Sequence, residues 1–340
     1  MRPFSYSRAA DARTAVRLAD QPAARDAPPT SAPVQFLAGG TNIVDFMKLG
    51  SWQADALVDV NDLEREHGAI TAGADGLRLG ALVRMSQAAD DPVINRDYPV
   101  IAQSLRLAAS AQLRNMASLG GNVLQRTRCT YFRNTDYAQC NKRVPGSGCA
   151  AIGGNNRTHA VLGVSDRCIS NYPGDFAQAL AALDARVETL GPAGRRTLRF
   201  EELHTGPERP ERETVLMPGE LITGFVVPAG PHTRRSHYLK IRDRQSYEYG
   251  LATAAVALDL APDGAVRDAR IAMAGVAYRP YRAHAAEALL KGRRLDAAAA
   301  EAAGTAAMQG AVTHGGNDYK PALGRRTVAR ALLHAARMEA

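Results

Sequence analysis

The four cysteines of the chain, Cys129, Cys140, Cys149 and Cys168, all fall in one segment, and the remainder of the 340 residues contains none. Thiols grouped in this way read as one metal site. Their spacing, C-x10-C-x8-C-x18-C, lacks the short C-x2-C pairs of structural zinc sites, so it points to a bulkier centre approached from several loops. A four-iron cluster fits that description. Four thiolates around such a cluster leave a net negative charge, and the segment carries Arg126, Arg128, Arg133, Lys142, Arg143, Arg157 and Arg167 against only Asp136 and Asp166. Tyr131, Phe132 and Tyr137 are available to shield the centre from water. On spacing alone an iron–sulfur cluster, zinc, and disulfides or free thiols all stay open. Each basic residue taken singly is equally compatible with a solvated surface.

A second kind of chemistry comes from paired glycines. Val34 to Ala38 reads as a buried strand, runs into Gly39-Gly40-Thr41-Asn42, and continues as the helical pattern Ile43-Val44-Asp45-Phe46-Met47-Lys48. A strand, a glycine turn and a helix suit a pyrophosphate, because paired glycines adopt positive φ and turn successive N–H groups towards an anion. The turn is neither a Walker A loop nor a G-x-G-x-x-G fingerprint. Gly-Gly followed by Thr or Asn recurs at 120, 153 and 315, and most such pairs are simply turns.

The elements that must position these residues follow from the pattern around them. Residues 21 to 35 form a Pro/Ala-rich connector, and a strand at Ala56 to Val60 completes a small α/β unit over the first 60 residues or so. Short strands at Ala69 to Ala72 and Leu77 to Leu79 and a helix from Pro99 to Ser110 lead to the second glycine turn, Ser118-Leu119-Gly120-Gly121-Asn122. The cysteine segment, about 125–170, then reads as an insertion. The host domain resumes beyond it with a helix at Phe176 to Leu183 and strands near Arg186 to Leu190 and Leu221 to Val227. Pro228 to His232 is the next boundary. An apolar run from Gly250 to Leu260, a strand near Arg270 to Ala277 and helices at Arg282 to Leu290, Asp296 to Met308 and Arg325 to Met338 describe an α+β unit, and no repeat is visible.

With 46% hydrophobic and 22% charged residues, the chain has the composition of a globular protein of two or three cores. The net charge of +8 is spread along the whole chain and joins no nucleic-acid motif; a basic flank for an acidic partner subunit is equally consistent. The N-terminus lacks the apolar core of a secretory signal, and no apolar run is long enough to span a bilayer. These features predict a cytoplasmic chain with no membrane insertion, while export of the folded chain beside a signal-bearing partner would place it in the periplasm.

Phe36-Leu37-Ala38-Gly39-Gly40-Thr41-Asn42, Leu113-Arg114-Asn115-Met116-Ala117-Ser118-Leu119-Gly120-Gly121-Asn122, and Lys240-Ile241-Arg242 with Ser246-Tyr247 together resemble the FAD-binding medium subunit of the xanthine dehydrogenase and carbon monoxide dehydrogenase flavoprotein family. Arg128-Cys129-Thr130-Tyr131-Phe132-Arg133, Cys140-Asn141-Lys142-Arg143 and Pro145-Gly146-Ser147-Gly148-Cys149 look like the insertion of its bacterial periplasmic-type aldehyde oxidoreductase members, which carry a [4Fe-4S] cluster. The resemblance implies an α+β fold: a two-subdomain (PCMH-type) FAD-binding domain over 1–228, divided near residue 60, followed by a C-terminal α+β domain over 229–340. It implies FAD contacts from Leu37, Ala38, Gly39, Gly40, Thr41, Asn42, Ile43 and Val44, closure by Ser118, Gly120, Gly121 and Asn122, and further contacts from Asp175, Leu221, Ile222 and Lys240. Asp175 alone would otherwise read as a helix cap and Lys240 as a surface residue. The four cysteines become cluster ligands. The function implied is electron transfer within an oxidoreductase, beside a large molybdenum-cofactor subunit that turns aldehyde into carboxylate and a small subunit with two [2Fe-2S] centres. No residue of this chain would then be catalytic towards the organic substrate. A hydroxybenzoyl-CoA reductase-like flavin subunit is the rival within the family, and a zinc-stabilised assembly module is the rival outside it.

Overall fold

A computed structural model of the chain describes residues 1–21, 27–28 and 32–339. Part of the Pro/Ala-rich connector lies outside the described residues. The first unit is a three-stranded parallel sheet of β1 (Ser5–Arg8), β2 (Val34–Leu37) and β3 (Ala56–Asp59), with β3 in the middle. Parallel neighbours need crossovers, and the helix Ile43–Leu49 supplies the one from β2 to β3. The helix Ala12–Ala19 follows β1 and starts where Asp11 accepts from the Thr14 N–H at 2.8 Å.

The second unit is an antiparallel sheet in the order β4-β5-β8-β6-β7, formed by β4 (Ile70–Gly73), β5 (Gly76–Gly80), β6 (Arg186–Gly191), β7 (Gly194–Arg199) and β8 (Leu221–Pro228). The helices Met85–Asp90, Pro99–Arg106 and Phe176–Ala182 complete its core. The cysteine segment lies between β5 and β6 in sequence. From Asn134 to Asp175 it contains no helix or strand beyond isolated bridges such as Cys140 to Cys149.

The third unit is a four-stranded antiparallel sheet, β12-β11-β10-β9, from β9 (Ser236–Ile241), β10 (Ala252–Leu260), β11 (Val266–Ala274) and β12 (Tyr281–Arg282). The apolar run after Gly250 is the central strand β10, and it does not alternate because both its faces are buried. Ala252, Ala254, Val256 and Leu258 point into the core made with the C-terminal helices, while Ala255 and Ala257 point into the core of the second unit. Two neighbouring domains thus share one sheet. The helices Ala297–Ala307 and Lys320–Ala336 pack together so closely at Gly304 that a Cβ there would overlap the Arg325 carbonyl.

Gly304→Ala should therefore force the two helices apart. The expected loss is about 1–3 kcal/mol, the usual cost of overpacking a filled core, read as a lower midpoint in chemical denaturation.

Candidate functional site

The two glycine turns face each other across a cleft that opens to solvent. Gly40 has φ of 73°, which favours glycine. Gly39 has a different constraint: a Cβ there would overlap the Met116 carbonyl oxygen, so the two lips meet backbone to backbone. The second turn is similarly tight. Gly120 donates to the Ala81 carbonyl at 2.8 Å, and a Cβ on it would stand only 3.0 Å from the Ala81 Cβ. Ser118 caps the short helix Leu119–Val123 by accepting from Gly121 N–H at 3.2 Å.

Ala38, Gly39, Gly40, Thr41, Asn42 and Ile43 line one side of the cleft, and Ser118, Gly120, Gly121, Leu221 and Ile222 line the other. Leu37 and Val44 lie outside that lining and pack in a small core beneath the turn. Asn122 is buried against Met85, donating to its sulfur at 3.3 Å. Asp175 and Lys240 also stand away from the cleft wall. They form a buried ion pair at 2.8 Å, to which Tyr238 adds a hydroxyl bond to Asp175 at 2.6 Å. The Asp175 side chain does not cap its helix and Lys240 is not on the surface, so this pair fastens the second unit to β9.

Sequence reasoning missed Trp52 and Arg84. Trp52, the single tryptophan of the chain, lines the cleft on one side and touches the cysteine core on the other. Arg84 donates to the Met116 carbonyl at 2.8 Å and to Asn61 at 3.0 Å, and Asn61 in turn donates to the Ala38 carbonyl at 3.1 Å. This relay ties one lip to the other.

The four cysteines are all free thiols and share one neighbourhood. Cys140 and Cys149 are bridge partners, Cys149 donates to Cys168, and Cys129 feels the charges of Cys168 and Cys140. Burial pushes the Cys129 thiol up to about 12. The hydrogen bond from Cys149, helped by the charge of Lys142, draws Cys168 down to about 6 and raises Cys149 in exchange. Among the described residues, no three His, Cys, Asp or Glu side chains are gathered to hold a single metal ion.

Cations surround this core. Arg128 donates to Asp45 at 2.8 Å and to Asn42, and Arg133 donates to Asp45 at 2.7 Å, so the cysteine segment grips the first glycine turn. Arg126 and Lys142 share Glu213, the latter at 2.8 Å. Burial opposes ionisation of Glu213, but the two cations outweigh it and bring its pKa from 4.5 down to about 2. Both cations are buried as well. The Arg126 guanidinium lies over the rings of Trp52 and Phe132, 5.3 and 4.5 Å from their centroids. Three buried donors at this seam, Nε1 of Trp52 and both Nη atoms of Arg126, find no acceptor in the protein. Buried donors are normally satisfied, so the seam fits groups that bring their own acceptors.

The family profile described as "FAD binding domain in molybdopterin dehydrogenase" matches residues 2–230, and that of the "CO dehydrogenase flavoprotein C-terminal domain" matches residues 237–340. The aldehyde oxidoreductase FAD-binding subunit PaoB of Escherichia coli K12 is 43% identical over 303 residues, 88% of this chain and 91% of that protein. The carbon monoxide dehydrogenase medium chain of Hydrogenophaga pseudoflava is 24% identical over 88% of each chain. A crystal structure of quinoline 2-oxidoreductase from Pseudomonas putida 86 superimposes with a TM-score of 0.72 at 21% identity, covering 99% of this chain and 98% of that one.

Glu213 gives a signed pH dependence. Its folded pKa is depressed, so its contribution is present above the ordinary 4.5 and is lost as pH falls towards about 2. At neutral pH Glu213→Gln should cost about 3–5 kcal/mol, because two buried cations lose their counter-charge. That deficit should shrink between those two pH values. Denaturation of both proteins across the range checks it.

Proposed function

Because the chain belongs to the family of FAD-binding medium subunits of molybdenum hydroxylases and is an oxidoreductase subunit, we propose that it is the FAD- and [4Fe-4S]-binding electron-transfer subunit of a heterotrimeric aldehyde oxidoreductase. In this reading a large molybdenum-cofactor subunit oxidises the aldehyde, and a small subunit with two [2Fe-2S] centres stands between that site and this chain. An external acceptor takes the electrons from here. The observation that most supports the aldehyde assignment is the 43% identity to an aldehyde oxidoreductase subunit across 88% of the chain. Among the described residues no helix is long and apolar enough to cross a membrane, and association with partner subunits needs none.

The residues fit the cofactors by their chemistry. Backbone at Gly39, Gly40 and Thr41 would face the dinucleotide from one lip and Ser118, Gly120 and Gly121 from the other, with Leu221 and Ile222 as an apolar wall. Asp175 and Lys240, read from the resemblance as further FAD contacts, pair with each other outside the lining of the cleft. Cys129, Cys140, Cys149 and Cys168 would ligate the cluster, and Lys142 with Arg126 would offset its negative charge. Bound FAD supplies a carrier that takes electrons singly and releases them singly or in pairs. The chain itself shields the cysteines: Cys129, Cys140 and Cys168 are buried and Cys149 is half-buried, and Tyr131 and Phe132 share a core with Cys129 and Cys140.

Two substitutions separate the sites. Gly39→Ala should push the lips apart and lose most of the flavin while iron and acid-labile sulfide are retained; each Cys→Ser change should deplete iron and sulfide together. Stoichiometric zinc without sulfide, or full flavin in Gly39→Ala, would overturn the respective assignment. In the flavin-depleted complex, aldehyde should still reduce the partner's centres in a single turnover followed by rapid mixing, while steady-state turnover with flavin-dependent acceptors is lost. Loss of that first reduction with molybdenum fully occupied would mean that this chain takes part in substrate oxidation.

A further inference from the structure

His159 presents Nε2 to the sulfur of Cys129 at 3.1 Å, and the residue is 3% exposed. Its other ring nitrogen, Nδ1, is buried and meets no partner. A neutral imidazole has one N–H to give; the sulfur lies at hydrogen-bond distance from Nε2, and the Asn156 carbonyl is the other acceptor near the ring. We infer that His159 is a positioning and tuning residue: it donates Nε2–H to the Cys129 sulfur and so raises the reduction potential of the centre that the cysteines hold. The inference rests on the reading that this centre is an iron–sulfur cluster. Adding an electron makes such a cluster more negative, so an N–H aimed at a ligand sulfur stabilises the reduced form more than the oxidised one.

The imidazole is held by a framework from outside the cysteine segment. Three side chains of the C-terminal domain grip the carbonyls around it. The Tyr319 hydroxyl donates to Arg157 at 3.0 Å, Lys320 Nζ to Thr158 at 2.8 Å, and Asn317 Nδ2 to Ala160 at 3.1 Å. Asn317 and Lys320 are fully buried, and Lys320 also donates to the Gly275 carbonyl at 2.6 Å. Burial lowers the Lys320 pKa from 10.5 to about 7, and its two carbonyl partners hold the amine in place. It fixes the backbone on either side of one histidine, and that histidine points at one ligand sulfur. The segment adds the bonds from His159 N–H to Asn156 and from Ala160 N–H to Ile169, both at 2.9 Å, and the Tyr131 ring, 6.2 Å from the imidazole between centroids.

The test is an EPR-monitored redox titration of the whole complex carrying His159→Leu, His159→Asn or His159→Gln. A glutamine amide nitrogen falls near the Nε2 position, whereas the shorter asparagine does not reach the sulfur. The leucine and asparagine variants should shift the cluster midpoint to more negative potential at unchanged iron and sulfide content, and glutamine should recover most of the shift. A midpoint unmoved in leucine and asparagine variants that keep their iron would overturn the inference, because a merely structural histidine predicts that result. Should those variants lose the cluster, the wild-type complex decides: a strongly coupled exchangeable proton on the cluster, removed in D2O, supports the bond, and its absence overturns it. Wild-type complex without iron and sulfide in this chain would refute the preceding assignment itself, and elemental analysis reports that before any titration.

Discussion

The carboxylate of Glu213 holds two cations, Arg126 and Lys142, that belong to a segment almost without regular secondary structure. Such a segment has no hydrogen-bond ladder to define its path, so side chains must do so. Arg143 donates to the carbonyls of Phe132 at 2.8 Å and Asn134 at 3.1 Å, and Lys142 reaches Tyr278 of the C-terminal domain at 2.9 Å. The balance of this arrangement is physical. Burying three charges is expensive, and the triad remains ionised because each cation is within contact distance of the one anion and the guanidinium rests on aromatic faces. With the triad in place, Arg128 and Arg133 stand where they can reach Asp45 and hold the first glycine turn. The cleft between the glycine turns and the thiol core are therefore parts of one construction.

The sheet shared between the second and third units is the other constraint. The alanines of β10 and β11 that face the second unit, Ala255, Ala257, Ala272 and Ala274, leave room for the helices Pro99–Arg106 and Phe176–Ala182 to lie close upon it. A close seam with little side-chain volume needs a directional fastening, and the Asp175–Lys240 pair with Tyr238 supplies it at the strand edge. Small residues set the approach, and the ion pair sets the register.

Much of this was legible in the sequence because the decisive signals were local. The strand before Gly39, the helix after it, the second glycine turn and the clustering of the cysteines are all contiguous patterns, and the structure brings the two turns together across one cleft. Weaker elements escaped for identifiable reasons. Ser5–Arg8 and Gly194–Arg199 are largely exposed strands whose polar residues give no apolar alternation. The helix starting at Pro99 ends at Arg106, before the Ser110 read from its alanines, because Ala109 takes a positive φ of 49°. Asp175 and Lys240 lie 65 positions apart, and no local pattern says that they pair. Glu213 and His159 likewise owe their importance to neighbours remote in sequence. Trp52 was detectable as the chain's lone tryptophan, yet nothing in its flanking residues said which two sites it separates.

The contact of Gly39 with the Met116 carbonyl, and the reach of Arg128 and Arg133 to Asp45, also impose an order on biogenesis. On the ribosome the first lip is made well before the second, and its arginine clasp arrives later still, within the cysteine segment. Neither lip encloses anything until that stretch has folded. A ligand met by the early nascent chain would find an open surface, whereas one met after the cysteine segment has folded would find a finished groove. Assembly of the groove is thereby given a direction, with the folding of the cysteine segment upstream of its closure.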